Sequence, residues 1–358
     1  MKQNNAAILV TGGAGFIGSQ FLLHWIQTKK TPVINLDLLT YAGSLENLRS
    51  IESSPNYTFV EGDIANRSLI HTLLNHHRPS AIINFAAETH VDRSLHNPSP
   101  FLHTNVTGTA TLLEESLCYW ESNNRPNDFR FIQVSTDEVY GSLDENEAAW
   151  TESSPLQPNS PYAASKASAD HFVHSYHHTF GLPTIITRCT NNFGPHQFPE
   201  KLIPLTLFNA IKGKAIPIYG DGKQRRNWLF VDDHCSAIVA LLQKGTPGNV
   251  YNIGSNDELS NLELVEMLCS LLDELLPNSP HLPHKQLITF VNDRPGHDRR
   301  YALNSEKIRD QIDWAPTKSF KEHLRTTVKW YLENNAWRET ILSHNYSEWL
   351  DTHYKGIL

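Results

Sequence analysis

The first half of the chain alternates short apolar runs with segments of helical periodicity. The apolar runs are AAILVTG, TPVINLD, YTFVEGD, SAIINFAAE, FRFIQVS and LPTIITR. Between them, residues 16–28, 67–77 and 104–121 place apolar side chains at the spacing of one helix face. Strict alternation of strands and helices predicts a parallel sheet with helices on both faces, which is a doubly wound α/β fold.

A glycine-rich turn joins the first predicted strand to the first helix. In ILVTGGAGFIGS, Gly12 permits a tight turn, Gly15 lets the backbone approach a pyrophosphate, and Gly18 allows close helix packing. Asp37 ends the next strand, where a carboxylate binds the adenosine ribose hydroxyls and repels a 2′-phosphate. The pattern predicts a Rossmann-type domain that binds NAD rather than NADP. We expect Asp37 to face the surface, without a part in core packing.

The pattern changes after about residue 190, where loops and prolines become frequent. We predict an NAD-binding domain at 1–190 and a smaller mixed α/β domain, mainly for substrate, at 191–358. The segment WLFVDDHCSAIVALLQ within 228–250 is expected to return to the first domain and complete it.

Composition argues against several kinds of partner. The net charge of -8 at pH 7 does not suit a nucleic-acid binder, whose surface would be basic. The four cysteines are far apart and no ligand pattern completes a metal site, so we expect no metal. No signal peptide or membrane-spanning stretch is visible. We therefore expect a cytoplasmic protein.

Tyr162 and Lys166 in SPYAASKA are four residues apart and would share one helix face. A free tyrosine has a pKa of about 10, which is too high for a base at neutral pH. A nearby ammonium group and a positive nicotinamide ring would both favour the phenolate. Together with the glycine loop and a strand that ends in Ser135 and Thr136, the pair indicates a redox site.

Two adjacent carboxylates, Asp137 and Glu138, follow that same strand. Ligands of parallel sheets lie beyond the carboxyl ends of the strands, so both acids can turn towards one pocket. Two carboxyl groups with different pKa values can share the two proton transfers of an elimination. One removes a carbon-bound proton while the other protonates the departing hydroxyl. The alternative of two solvated loop acids stays open.

Further segments carry a family resemblance: VSTDEVYG, FAAETHVDRS, YAASKASAD, RCTNNFGP and DRPGHDRRYA. They resemble the extended short-chain dehydrogenase/reductase family over nearly the whole chain, and within it the nucleotide-sugar 4,6-dehydratases that act on dTDP-glucose. Related epimerases and decarboxylases share the scaffold but lack the Thr-Asp-Glu run. In GDP-mannose dehydratases Ser typically replaces the Asp, so this tripeptide is the most discriminating feature.

The resemblance implies an NAD+-dependent lyase cycle. Tyr162, assisted by Thr136 and Lys166, removes the proton of the C4 hydroxyl while NAD+ accepts the C4 hydride. Glu138 then removes the C5 proton, and Asp137 protonates the C6 hydroxyl as water leaves. The hydride then returns to C6 and a proton to C5, which gives dTDP-4-keto-6-deoxyglucose and regenerates NAD+. The cofactor should therefore stay bound between turnovers.

The resemblance also implies the binding residues. Cofactor contacts are expected from Gly12, Gly15, Phe16, Ile17, Gly18, Asp37, Thr40, Asp63, Ile64, Ala86, Ala87, Thr104, Tyr162, Lys166 and Asn192. Substrate contacts are expected from Thr89, Thr136, Asn191, Lys201, Leu202, Pro217, Tyr219, Arg226, Asn261, Arg294 and His297. Among these, Lys201, Arg226 and Arg294 would meet the diphosphate, the arginines in a bidentate manner.

Two other functions stay open on the sequence. A nucleotide-sugar epimerase uses the same scaffold and needs no acid pair, and a non-catalytic regulator would bind NAD without chemistry. Thr89, Ala163 and Asn227 stand where the family usually has Ser, Ser and Asp, which leaves the base and sugar preference open. The resemblance further implies a homodimer, formed through helices near 104–121 and 163–180, although the apolar faces of these helices fit a place in the core equally well.

Overall fold

The computed structural model describes residues 6–342, so residues 343–358 of the predicted second domain lie outside the described part. The strands are β1 (Ile8–Thr11), β2 (Val33–Asp37), β3 (Tyr57–Glu61), β4 (Ala81–Asn84), β5 (Arg130–Thr136), β6 (Thr184–Cys189), β7 (Asn191–Phe193), β8 (Ile216–Tyr219), β9 (Arg225–Phe230), β10 (Val250–Ile253), β11 (Glu258–Ser260) and β12 (Ile288–Val291).

The helices follow the same chain order. They are α1 (Phe16–Thr28), α2 (Arg67–His77), α3 (Val91–His96), α4 (Ser99–Phe101), α5 (Thr109–Ser122), α6 (Pro161–Phe180), α7 (Leu202–Ile211), α8 (Val231–Lys244), α9 (Asn261–Leu275), α10 (Glu306–Ile312), α11 (Phe320–Glu333) and α12 (Asn335–Leu342). Short 3-10 turns occur at Leu45–Ile51, Asp137–Tyr140 and His284–Leu287. None of the helices within 6–342 is long and apolar enough to cross a membrane.

Seven strands form one parallel sheet in the order β10-β6-β5-β4-β1-β2-β3. All six strands predicted from the apolar runs are in this sheet. The chain order reverses between β1 and β4, and ligands bind at such a switch point, beyond the carboxyl ends of the strands. The sheet confirms the predicted Rossmann-type α/β fold.

The strand residues are apolar in consecutive positions because both faces of the sheet are covered. Ile8 and Val10 belong to the core beneath α1 and α8, whereas Leu9 between them belongs to the opposite core beneath α2 and α5. The alternation follows from the two-residue period of a strand. Helices on both faces therefore hold the carboxyl edge of the sheet in place.

The second half of the chain contributes to both parts of the molecule. The helix α8 packs beside α1, and β10 is an outer strand of the large sheet. The remaining elements build a separate core from α7, α9 and α11, with the small sheets β11-β9-β7 and β12-β8. The boundary between domains at residue 190 stays a prediction.

One predicted helix differs in its hydrogen bonding. The segment predicted at 104–121 begins as a π-helical stretch, Leu102–Gly108, which connects α4 to α5. The side chain of Asn105 in this stretch accepts from the Glu88 amide at 2.9 Å and donates to the Glu88 carbonyl at 3.0 Å. The stretch is thus tied to the segment that follows β4. Periodicity alone does not distinguish a π-helical turn from an α-helical one.

Candidate active site

The turn after β1 forms one wall of a cavity at the carboxyl edge of the large sheet. Gly12 has a φ of +70°, and a Cβ there would lie 2.5 Å from the Ala86 nitrogen. A Cβ at Gly18 would lie 2.2 Å from the Gly12 carbonyl oxygen. Both positions therefore require glycine, and the turn brings the start of α1 against the cavity.

Contrary to our expectation, Asp37 does not face the surface. It is buried at the end of β2, where its Oδ2 accepts from the Ala14 amide and its Oδ1 accepts from the Leu39 amide, both at 2.8 Å. Burial raises the pKa of Asp37, and these two N–H groups oppose the rise. The expectation was wrong because the loop after β2 folds back over the strand end. Asp37 braces the glycine turn and also lines the cavity.

All of the predicted cofactor residues line this one cavity. They are Gly12, Gly15, Phe16, Ile17, Gly18, Asp37, Thr40, Asp63, Ile64, Ala86, Ala87, Thr104, Tyr162, Lys166 and Asn192. The Asp63 carboxylate accepts from the Ala65 amide at 2.7 Å and lies 2.8 Å from Nε2 of His103. Residues from β1 to β7 thus meet at the switch point, as the fold predicts.

Lys166 is fixed to the sheet rather than left free in the cavity. It lies on α6, which begins with Ser160 capping the amide of Ala163 at 3.1 Å. Its Nζ donates to the Val134 carbonyl of β5 at 2.7 Å. Burial lowers the pKa of Lys166, and the negative charge of Asp170, one turn later, opposes this.

The Tyr162 hydroxyl lies at the junction of α6 and β5. Burial raises the pKa of Tyr162 well above its usual value, and the negative charge of Glu138 raises it further. A hydrogen bond with Thr136 acts in the opposite direction. The groups of the chain therefore do not produce the phenolate that we expected, and the positive nicotinamide ring is the remaining predicted source of that effect.

The strand β5 ends where the acid pair begins. The Thr136 hydroxyl accepts from the Glu138 amide at 3.3 Å and starts the 3-10 turn Asp137–Tyr140. This turn carries both acids into the cavity instead of onto opposite faces of the sheet. Asp137 is only 2% exposed, and its Oδ2 has no hydrogen-bond partner within residues 6–342. The alternative of solvated loop acids is therefore wrong for Asp137.

The two carboxyl groups have different electrostatic surroundings. Burial raises the pKa of Asp137 to about 8, and the charge of Glu138 contributes to the rise. Burial also raises the pKa of Glu138, but positive charges oppose it, in the order Arg294, Lys201 and Arg226. Asp137 is therefore held protonated at neutral pH, whereas the three cations oppose the same effect at Glu138 and favour its ionised form.

A second cavity adjoins the first at Glu138. The residues shared by both cavities include Glu138, Asn191, Glu200 and Lys201. Most of the predicted substrate residues line the second cavity, namely Asn191, Lys201, Leu202, Pro217, Tyr219, Arg226, Asn261, Arg294 and His297. Thr89 and Thr136 line the first. The structure thus brings the eleven predicted residues together on either side of the acid pair.

The three predicted cations differ in how firmly they are held. Arg226 is 4% exposed, and its guanidinium donates to the carbonyls of Arg225 and Asp298 at 2.7 and 2.8 Å. Arg294 and Lys201 are more accessible, with side chains 23% and 36% exposed. Arg226 acts on the acids mainly through its charge, because several of its donors already bind main-chain oxygens.

Sequence reasoning missed a buried carboxyl group between the two cavities. Glu200 accepts from the hydroxyl of Tyr41 at 3.0 Å, and its Oε1 lies 3.7 Å from Nζ of Lys201. Burial raises the pKa of Glu200 to about 7, against the opposing charges of Lys201 and Arg93. Tyr41 and Glu200 lie in distant parts of the chain without a shared motif, so only the fold reveals the pair.

Comparison with known proteins identifies the family of this chain. The family model described as GDP-mannose 4,6 dehydratase matches residues 9–327. The dTDP-glucose 4,6-dehydratase of Xanthomonas campestris pv. campestris (strain B100) is 50% identical over 343 residues, which cover 95% of this chain and 97% of the relative. The chain belongs to the dTDP-glucose 4,6-dehydratase family.

Solved structures of this dehydratase family share the fold. The dTDP-glucose 4,6-dehydratase of Bacillus anthracis str. Ames, in complex with NAD, has a TM-score of 0.83 and 47% identity, covering 94% of this chain and 99% of that chain. The enzyme of Streptomyces venezuelae, with NAD and TYD bound, has a TM-score of 0.85 and 45% identity, with the same coverage.

Proposed function

We propose that the protein is an NAD+-dependent hydro-lyase that converts dTDP-glucose into dTDP-4-keto-6-deoxyglucose. The observation that carries the proposal is the acid pair, because Asp137 and Glu138 lie side by side with different pKa shifts next to Tyr162 and Thr136. Relatives named dTDP-glucose 4,6-dehydratase, which are 45–50% identical to this chain, support the choice of substrate. Solved structures of such enzymes with NAD bound support the choice of cofactor.

The residues of the first cavity fit a dinucleotide. Gly12 and Gly18 leave no room for a Cβ, and the start of α1 faces the cavity, as a pyrophosphate requires. Asp37 and Thr40 line the side that would hold the adenosine ribose, and Tyr162 lies on the opposite side with Lys166. NAD+ held by these residues would supply the acceptor for the C4 hydride that later goes to C6, and its positive ring would favour the Tyr162 phenolate.

Three side chains divide the proton transfers. Tyr162 takes the proton of the C4 hydroxyl, and Thr136 binds the same oxygen because its hydroxyl lies against that of Tyr162. Glu138 removes the C5 proton, since Arg294 and Lys201 favour its ionised form, and returns a proton to C5 when the hydride reaches C6. Asp137 donates a proton to the C6 hydroxyl, because burial keeps its carboxyl protonated at neutral pH.

An epimerase or a non-catalytic NAD-binding regulator accounts for less of the site. An epimerase needs only the oxidation and reduction at C4, so it has no use for two adjacent acids in different electrostatic surroundings. A regulator has no use for Tyr162 and Lys166 buried beside them. The dehydratase function uses both acids as well as Tyr162 and Lys166.

We also propose that the protein is a cytoplasmic homodimer. Exposed apolar side chains lie on the second predicted interface helix, Phe172 at 42% and Phe180 at 44% exposed, and just before the first, Leu102 at 57% exposed. A second copy would cover them. Light scattering after gel filtration should give twice the mass of the chain, and a Phe172→Glu variant should shift the protein to monomer.

The function is tested by a panel of nucleotide sugars. Purified protein is incubated with dTDP-glucose, UDP-glucose, CDP-glucose and GDP-mannose, and each product is examined by mass spectrometry. We expect loss of one water molecule, with dTDP-glucose the preferred substrate, and no net consumption of added NAD+. Accumulation of free NADH, or a C4 epimer of unchanged mass, would contradict the proposal.

A further inference from the structure

A chain of buried hydrogen bonds connects the helix α12 with the glycine turn of the first cavity. The indole Nε1 of Trp337 donates to Oδ1 of Asn47 at 2.8 Å, although the two residues are 290 positions apart. The Nδ2 of Asn47 donates in turn to the carbonyl of Ala14 at 2.9 Å. Ala14 lies between Gly12 and Gly15, which both line the cavity. The end of the described chain thus reaches the cofactor turn through two side chains.

The polar backbone atoms of Ala14 are bound from both sides. Its amide donates to Asp37, and its carbonyl accepts from the Ser44 amide at 3.0 Å as well as from Asn47. Five residues of the loop 38–43, between Asp37 and Ser44, also line the first cavity, namely Leu38, Thr40, Tyr41, Ala42 and Gly43. Asn47 therefore anchors the far end of this loop and the glycine turn at one point.

Trp337 is itself held rigidly. It is 8% exposed and packs edge-on against Trp330, with ring centroids 5.1 Å apart, and against His196 at 5.6 Å. Asn47 is 4% exposed. A buried donor and acceptor cost free energy when either loses its partner, so the indole fixes the rotamer of the Asn47 amide.

We propose that Trp337 is a positioning residue for the cofactor: through Asn47 it holds the glycine turn and the loop 38–43 closed, and so slows the release of the dinucleotide. The inference rests on the proposed NAD+ site. It gives the second half of the chain a part in cofactor retention, which a catalytic cycle that regenerates its own cofactor requires. Trp337 lies outside both cavities and acts only through Asn47.

The test compares Trp337→Phe with Trp330→Phe in the full-length protein. Both changes replace an indole by a phenyl ring in the same aromatic cluster, but within residues 6–342 the Trp337 indole donates a hydrogen bond and the Trp330 indole donates none. NAD content after gel filtration and the NAD dissociation rate are measured together with the melting temperature. We expect about 3- to 10-fold faster NAD release for Trp337→Phe, because that variant loses one hydrogen bond. Trp330→Phe should release NAD at nearly the wild-type rate.

A second variant isolates the other bond of the chain. Asn47→Asp keeps an oxygen that accepts from Trp337 but removes the donor to the Ala14 carbonyl, so it too should release NAD faster. This variant decides the question if Trp337→Phe does not fold. In a double-mutant cycle the combined variant should release NAD no faster than Asn47→Asp alone, because both changes break the same connection.

The outcomes separate this inference from the proposed function. Wild-type protein that contains and binds no NAD would refute the cofactor assignment itself. Wild-type protein that retains NAD, with Trp337→Phe and Asn47→Asp releasing it at the wild-type rate, would refute the positioning role alone. Equal acceleration by Trp330→Phe would also refute it, because aromatic packing would then be the cause.

Discussion

Asp137→Asn should make the protein more stable while it abolishes dehydration. The pKa of Asp137 is about 8 in the fold, against about 3.9 in an unfolded chain. This difference of about 4 pH units corresponds to about 5 kcal/mol at high pH. Relaxation and water penetration reduce such penalties at buried sites, so we expect about 2 kcal/mol of stabilisation from asparagine.

The size of the stabilisation depends on pH. A carboxyl group whose folded pKa is raised contributes its stability below the unfolded value, and this contribution is lost as pH rises through the folded value. The gain from Asp137→Asn should therefore be near zero at pH 4 and reach its full size above pH 8. For a chain of 358 residues, about 2 kcal/mol corresponds to about 3 °C in melting temperature.

Thermal unfolding of NAD-free protein between pH 4.5 and 9 measures the difference. Asp221→Asn is the control, because Asp221 is exposed and its hydrogen bond with Arg299 lowers the pKa of its carboxyl. That variant should show no gain at high pH. A melting temperature difference between Asp137→Asn and wild type that does not change with pH would show that Asp137 is not held protonated by burial, and the acid assignment would fail.

Three further predictions concern the other roles. Glu138→Gln should still oxidise C4, so it should accumulate the absorbance of reduced cofactor without product or C5 solvent exchange; a near wild-type rate would rule out the C5 base. Tyr162→Phe should lose every step, by about 10²–10⁴-fold in rate, and stopped-flow absorbance should show no hydride transfer. Asp37→Ala should weaken NAD retention and lower the free energy of unfolding by about 1–3 kcal/mol, since it leaves the Ala14 amide unpaired. Unchanged NAD retention would rule out the ribose contact, and unchanged stability would rule out the bracing of the glycine turn.

The large sheet was predictable because its inner strands are buried on both faces. The strands β1, β2 and β4 are buried, largely apolar runs that end in Thr11, Asp37 and Asn84 at the ligand edge, and the glycine turn marks the first crossover. Details that depend on backbone hydrogen bonding were not predictable. The π-helical stretch at Leu102–Gly108 has the same apolar period as an ordinary helix.

The site was predictable where its residues are adjacent in sequence, as in Asp137-Glu138, or lie on one helix face, as in Tyr162 and Lys166. The directions of individual side chains and the contacts between residues far apart in the chain were not predictable. The carboxylate of Asp37 turns inwards because the loop after β2 folds back. The pairing of Tyr41 with Glu200 joins remote segments that no local pattern connects.

The most direct test of the account is the reaction of dTDP-glucose in D2O, followed by mass spectrometry and NMR of the product. The account predicts a 4-keto-6-deoxy sugar that has lost one water molecule and carries one solvent deuterium at C5, because Glu138 exchanges the C5 proton. The C4 hydrogen of the substrate should reappear at C6. A product of unchanged mass with C4 inverted, or a dehydrated product without deuterium at C5, would contradict the roles assigned to Asp137 and Glu138.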